Sequence, residues 1–172
     1  LMRFLVLVLV GYVLLGLESS LLYHLKIPFH APDIGAVMAV YVGLTQGFIP
    51  GMLCVMVVGF LQDGYAMGAP AGLHAACLVI IFLLTYPVSS RITFRSGVPV
   101  MVVAALAAVL SQFILFALTA IFDQRIDNYG MFVDGWFINA LITAPFGPII
   151  FWVMEWAIAA VNRSHKNRVF FN

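Results

Sequence analysis

Apolar residues along this chain occur in long stretches that short polar clusters separate. Most stretches contain about 20 residues, the length that an α-helix needs to cross the hydrocarbon core of a bilayer. The pattern predicts an all-α integral membrane protein with about six transmembrane helices. The predicted spans cover about 4–23, 33–45, a segment that follows a turn at 46–51 and ends near 63, 73–88, 98–122 and 137–160.

The second and third predicted spans are short and almost continuous, so they could instead form a helical hairpin that crosses only part of the bilayer. The last span contains Pro145 and Pro148 in its interior. Proline removes a backbone donor and crowds the preceding turn, so we expect a kink there.

Composition supports a single polytopic membrane domain over residues 1–172. The chain is 64% hydrophobic and only 9% charged, and its mean hydropathy is +1.10. A net charge of +1 without a basic stripe argues against nucleic-acid binding. Cys54 and Cys77 lie in apolar stretches, where cysteine is usually a small buried residue, and the histidines lack metal-ligand spacing. We therefore expect no cofactor and no metal.

Basic residues fall mainly on one side of the predicted bundle. With six spans, only Lys26 and Arg125 lie on the opposite side. Cytoplasmic loops of membrane proteins carry an excess of lysine and arginine, which predicts that both termini are cytoplasmic. The residues on the cytoplasmic side would be Arg3, Arg91, Arg95, Arg163, Lys166 and Arg168.

Small residues recur at four-residue spacing, which places them on one face of a helix where another helix can approach closely. Ala104 and Ala108 form such a stripe on the fifth span and are candidates for partner binding. Chance in a chain rich in glycine and alanine is the competing explanation, and near Gly64–Gly72 backbone freedom in a turn is another. The other series are Gly43, Gly47 and Gly51; Gly64, Gly68 and Gly72; and Ala71 and Ala75.

Ionisable residues inside predicted spans are costly and usually face water or a partner. Glu18, Asp63 and His74 all lie near the predicted outer face. Asp63 and His74 flank one short loop, so we expect them to form a hydrogen-bonded pair. Asp33 follows Pro32 at the start of a helix, where its carboxylate can cap free amide groups.

Two amide side chains lie deeper, Gln112 midway along the fifth span and Asn139 in the outer part of the sixth. Each can cross-link helices through hydrogen bonds. Together with Glu18 they are the candidates for a polar cavity. Glu155 lies toward the cytoplasmic end of its span, where it can reach the interface.

The patterns of membrane enzymes are missing, so we expect a non-enzymatic protein. Acidic residues on the outer side could suggest an aspartyl dyad, as in lipoprotein signal peptidases, but the sequence around Asp123 lacks that family's pattern. A serine intramembrane protease needs a serine and a histidine that meet at depth. Ser111 has no Gly-x-Ser-x motif, and His74 is predicted near the surface.

Three segments together resemble the rod shape-determining MreD family: APD at 31–33, GFLQD at 59–63 and GAPAGLHA at 68–75. In that family a Pro-Asp opens the second span, an Asp closes the third, and a glycine-rich stretch opens the fourth. The motif match covers roughly residues 31–92, and the remainder is similar in hydropathy and length only. Asp33, Asp63, Gly72 and His74 match the family pattern, which implies an architectural or partner-binding role for them.

The resemblance implies a scaffold of the bacterial cell elongation complex in the inner membrane, with a role in cell shape and in regulating peptidoglycan synthesis. Its direct partner would be an MreC-like single-span protein. A RodA-like glycosyltransferase, a class B penicillin-binding protein and MreB would be indirect partners. The family's expected fold is that of the substrate-binding subunits of energy-coupling-factor transporters. A transporter subunit that binds a vitamin or another small molecule therefore remains the alternative function.

Overall fold

The computed structural model describes residues 2–25, 32–65, 72–89, 97–122 and 129–169, with side chains at 2–20, 32–65, 72–89, 97–121 and 136–161. All regular structure in these ranges is helical, which confirms the predicted all-α class. The helices are α1 (Met2–Leu25), α2 (Ile34–Thr45), α3 (Phe48–Tyr65), α4 (Leu73–Thr85) with a short 3₁₀ turn (Tyr86–Val88), α5 (Gly97–Phe122) and α6 (Tyr129–Val169).

Four of the described helices are long and apolar enough to cross a membrane, which makes this a membrane protein. Their apolar segments are Met2–Ser20, Phe48–Tyr65, Gly97–Ile121 and Trp136–Val161. α2 has 12 residues and α4 has 13. At about 1.5 Å per residue, each is roughly 20 Å long or less, whereas the hydrocarbon core is about 30 Å thick.

The connection between α2 and α3 is tighter than the predicted turn at 46–51, and the prediction is wrong in its extent. Only Gln46 and Gly47 separate the two helices. The Gly51 amide already donates to the Gly47 carbonyl at 2.9 Å, so helical hydrogen bonding begins within the predicted turn. Pro50 is tolerated because the first turn of a helix needs no backbone donor there.

The short helix α2 forms the centre of the bundle. Every residue from Ile34 to Gly43 is buried, and α2 contacts each of the other five α-helices. Tyr41 packs edge-on against Phe151 of α6, with ring centroids 5.1 Å apart. A helix that is apolar on all sides is typical of such a central position.

Glycines allow the helices around α2 to approach one another closely. A Cβ atom on Gly59 of α3 would overlap the backbone of Ala75 in α4, and one on Gly43 of α2 would overlap the Thr85 hydroxyl. The same holds between α5 and α6, where a Cβ on Gly147 would collide with Ala104. These contacts are the close helix packing that small residues permit in membranes.

The Ala104 and Ala108 stripe packs helices of this chain together. Both side chains are buried, with 1% and 0% exposure, and Ala104 faces Gly147 of α6. α6 covers Ala104, and Ala108 is buried within the chain. The stripe is therefore not the free face for a partner that the sequence predicted. A small residue predicts close packing but does not say which helix supplies the other side.

Candidate functional site

Asp33 organises the start of α2. Asp33 follows Pro32, and its carboxylate accepts a hydrogen bond from the Ala36 amide at 2.9 Å, as an N-cap. The predicted cap is therefore confirmed. The Ser111 hydroxyl of α5 donates to the second carboxylate oxygen of Asp33. The Asp33 amide donates to Thr143 Oγ1 of α6 at 3.0 Å.

These contacts continue into α6. Thr143 Oγ1 donates to Asn139 Oδ1 at 3.3 Å, one helical turn away. All four residues, Asp33, Ser111, Asn139 and Thr143, are buried. Asn139 thus supports Thr143 from within α6, and Thr143 makes the link to α2. A cross-link between helices by Asn139 itself stays a prediction.

Asp63 caps the start of α4, as Asp33 caps the start of α2. Its carboxylate accepts hydrogen bonds from the Gly72 amide at 2.8 Å and from the His74 amide at 2.9 Å. His74 Nδ1 lies 2.9 Å from Asp63 Oδ1, so the predicted Asp63–His74 pair is confirmed. Gly72 has φ of 96°, a left-handed conformation that glycine adopts without strain.

The two capping groups belong to one cluster. Asp33 interacts electrostatically with His74 and with Glu18 of α1. Gln62 packs against Gly35 in the first turn of α2, where a Cβ would overlap its amide group. We call this cluster the polar layer, and each of the six α-helices contributes to it. Its members are Glu18, Asp33, Gln62, Asp63, His74, Ser111, Asn139 and Thr143.

The members of the polar layer lie at different positions along their own helices. Asp63 is near the end of α3 and His74 is at the start of α4, whereas Ser111 lies near the middle of α5. Since the Ser111 hydroxyl bonds to Asp33, α2 begins opposite the middle of α5. The carboxylates are thus surrounded by helix on their sides, and most of their oxygens bond to protein donors.

Five members of the polar layer are predicted as notable polar residues from the sequence, and three are not. The five are Glu18, Asp33, Asp63, His74 and Asn139. Gln112 is next to Ser111, but its side chain has no hydrogen bond to any residue that the structure describes. Ser111 was considered only as an enzyme nucleophile, while Gln62 and Thr143 carried no signal, apart from the position of Thr143 four residues after Asn139.

Two oxygens of the polar layer are buried without a hydrogen-bond partner among the described residues, Glu18 Oε2 and Gln62 Oε1. Both are acceptors, so the layer has capacity for an additional donor. Its chemistry is otherwise that of a structural network. Ser111 bonds directly to a carboxylate without an intervening histidine base, and no group of His, Cys, Asp and Glu suited to a metal occurs in the described ranges.

Comparison of the chain with protein-family models, with curated proteins and with solved structures finds no match.

Proposed function

We propose that this protein is an MreD-like membrane scaffold of the bacterial cell elongation complex, without enzymatic activity. One observation carries the proposal. The four residues of the family resemblance form the starts of two helices: Asp33 caps α2, and Asp63, Gly72 and His74 together begin α4. They act as caps and hydrogen-bond partners, which is the architectural role that the resemblance implies.

In this proposal the chain crosses the inner membrane six times with both termini in the cytoplasm, in a fold like that of energy-coupling-factor substrate-binding subunits. It binds an MreC-like single-span protein directly. A RodA-like glycosyltransferase, a class B penicillin-binding protein and MreB act with it indirectly, so that the scaffold helps control peptidoglycan synthesis and cell shape.

The polar layer supports a scaffold because it fixes helices in register. Buried hydrogen bonds between membrane helices are individually worth about 0.6–2 kcal/mol, and here they join α2 to α5 and α6 and α3 to α4. A rigid interior leaves the lipid-facing sides of the outer helices as constant surfaces. A partner helix can then bind by shape without any reactive group.

Two assays test the scaffold proposal together. The tagged protein should co-purify a single-span protein with a periplasmic domain and should restore rod shape to an elongation-defective strain. Asp63→Ala, which removes the cap of α4, should weaken both, while Asp63→Asn, which keeps an acceptor for the capping amides, should weaken them less. Wild-type protein that inserts at normal levels but neither restores shape nor retains such a partner would contradict the proposal.

A substrate-binding subunit of a small-molecule transporter is the second candidate, and the buried unpartnered oxygens of Glu18 and Gln62 favour it. A ligand with a donor group would satisfy both. Native mass spectrometry of the gently purified protein should then reveal a bound small molecule that Glu18→Gln and Gln62→Leu release. A ligand-free spectrum from protein purified in mild detergent would count against this candidate.

A further inference from the structure

One acidic residue interrupts the apolar segment of α6. Glu155 is the only charged residue between Trp136 and Val161, the part of α6 that is long and apolar enough to span the membrane. It lies six residues before the end of this segment, which is about 9 Å along a helix. In the proposed topology this end of α6 is cytoplasmic. The carboxylate is therefore close to the cytoplasmic interface.

Glu155 lies on the outside of the bundle, between two tryptophans. The buried side of α6 at this level includes Phe151, which packs against Tyr41 of α2. Glu155, Trp152 and Trp156 are exposed, and each tryptophan is 65% exposed. At about 100° per residue, the two tryptophans lie roughly 60° and 100° from Glu155 around the helix axis, on the same side as each other. A carboxylate and two indole rings thus share the outward half of α6.

The exposed side of α6 has the length and shape that a second spanning helix needs. It begins at Phe137, continues through Leu141 and reaches Trp156, so it extends over roughly 29 Å, close to the thickness of a bilayer core. One turn beyond Glu155 and Trp156 the exposed residues are small, and small residues let a second helix approach closely. We call the cytoplasmic part of this surface the Glu155 face, which consists of Trp152, Glu155, Trp156, Ala159 and Ala160.

The negative charge of Glu155 determines which occupant fits the Glu155 face. Charged side chains in membrane-spanning segments usually pair with a group of opposite charge. Spanning helices carry lysine and arginine at their cytoplasmic ends, so a helix beside α6 brings its basic residues to the level of Glu155. Arginine fits better than lysine, because a guanidinium can bond to the carboxylate and also stack on the ring of Trp152 or Trp156.

We propose that the Glu155 face binds the membrane-spanning helix of a single-span partner, with an arginine at the cytoplasmic end of that helix paired with Glu155. This inference rests on the proposed scaffold function and names the surface that the scaffold uses. A symmetric contact between two copies of the chain fits less well, because a twofold axis at this face brings two Glu155 carboxylates together. A lipid acyl chain fits the tryptophans but supplies no cation for the carboxylate.

Site-specific photo-crosslinking in cells tests which face of the bundle holds the partner. A photoreactive phenylalanine derivative replaces Trp152 in the full chain and, in a matched control, replaces Leu53 of α3. Leu53 is also exposed and lies near the start of α3, but α3 packs mainly against α1, α2 and α4. We expect a cross-link to a single-span protein from position 152 and little or none from position 53.

Charge variants at matched membrane levels then test the pairing. Glu155→Gln keeps the size of the side chain and removes its charge. It should lower the cross-link from position 152 and the co-purified partner about three- to thirtyfold, the range expected for a polar contact between membrane helices. Glu155→Lys should abolish both signals. Replacing the partner's basic residue by glutamate should restore binding to Glu155→Lys, since the two charges are then exchanged, whereas a misfolded variant would not be rescued.

Three results would overturn the proposal. If the partner co-purifies equally with wild type and Glu155→Lys, or cross-links from position 53 and not from position 152, it binds another face and the scaffold function still stands. A cross-link from position 152 to a second copy of the chain, with a dimer mass that Glu155→Lys abolishes, would assign the face to self-association. A wild-type chain that retains no single-span protein in either assay would remove this inference together with the scaffold function on which it rests.

Discussion

α2 and α1 are both apolar helices of this bundle, and they have opposite roles. α2 has 12 residues, of which all from Ile34 to Gly43 are buried. α1 has 24 residues, and only 17% of its apolar window is buried. The shorter helix is therefore the core, and the longer helix lies on the periphery with Leu9 and Leu17 among its exposed residues.

The difference shows that high hydropathy in a membrane protein does not distinguish a helix that faces lipid from one that is buried in the bundle. A long apolar helix such as α1 can satisfy its backbone alone and can face lipid on most of its surface. A short helix that ends inside the bundle must place its free amide groups against protein partners. The Asp33 cap and the bonds to Ser111 and Thr143 provide those partners for α2.

The largest expected effect comes from separating the helices that enclose α2. Gly59→Leu places a side chain where the Ala75 backbone already lies, so α3 and α4 cannot keep their distance. We expect little or no folded protein, measured as monodisperse protein after detergent extraction. A Cβ atom on Gly64 in the same helix meets no atom of the described residues within 4 Å, so Gly64→Leu should behave like wild type. Normal folding of Gly59→Leu would contradict the close α3–α4 contact.

A matched pair of large-to-small substitutions compares α2 with α1. Met38→Ala in α2, where the side chain is 1% exposed, should destabilise the protein by about 2–3 kcal/mol because it leaves a cavity. Leu9→Ala in α1, at 63% exposure, should change stability by less than about 0.5 kcal/mol. Reversible unfolding in mixed micelles measures both. Similar losses of unfolding free energy for the two variants would contradict the assignment of α2 to the core and α1 to the periphery.

Loss of the Asp33 side chain should have a smaller effect on stability. Asp33→Ala removes an N-cap and the acceptor of the Ser111 hydroxyl, which together contribute about 2 kcal/mol. Asp33→Asn can still cap α2 and should lose about 1 kcal/mol or less. The same unfolding assay applies, and an alanine variant as stable as wild type would show that the start of α2 needs no polar partner.

The smallest change is expected at Glu18, on the peripheral helix. Its Oε2 atom has no hydrogen-bond partner among the described residues, so Glu18→Gln should keep stability within about 0.5 kcal/mol of wild type. Rod-shape complementation should also persist if the protein is a scaffold. Complete failure of complementation by this stable variant would favour the ligand-binding alternative.

Sequence predicted the helices with good accuracy because apolar stretches and their polar separators are local features. The Asp33 cap and the Asp63–His74 pair could also be predicted, since the partners in each are near in sequence or flank one loop. The central position of α2 could not be predicted, because the sequence of a short apolar helix is the same whether the helix faces lipid or protein.

Long-range partners explain the remaining differences. Asp33 and Thr143 are 110 residues apart, and no local pattern joins them. Ser111 looked isolated because its partner is 78 residues away. Ala104 was assigned to an external surface since four-residue spacing reveals a flat face but not its occupant, which is Gly147.

The central claim is that the polar layer couples α2 to the helices around it, and a double-mutant cycle tests it most directly. Unfolding free energies of wild type, Asp33→Ala, Ser111→Ala and the double variant give the coupling between the two side chains. We predict a coupling of about 0.5–2 kcal/mol, since the two groups are in direct contact. Additive single effects, with a coupling near zero, would contradict the account.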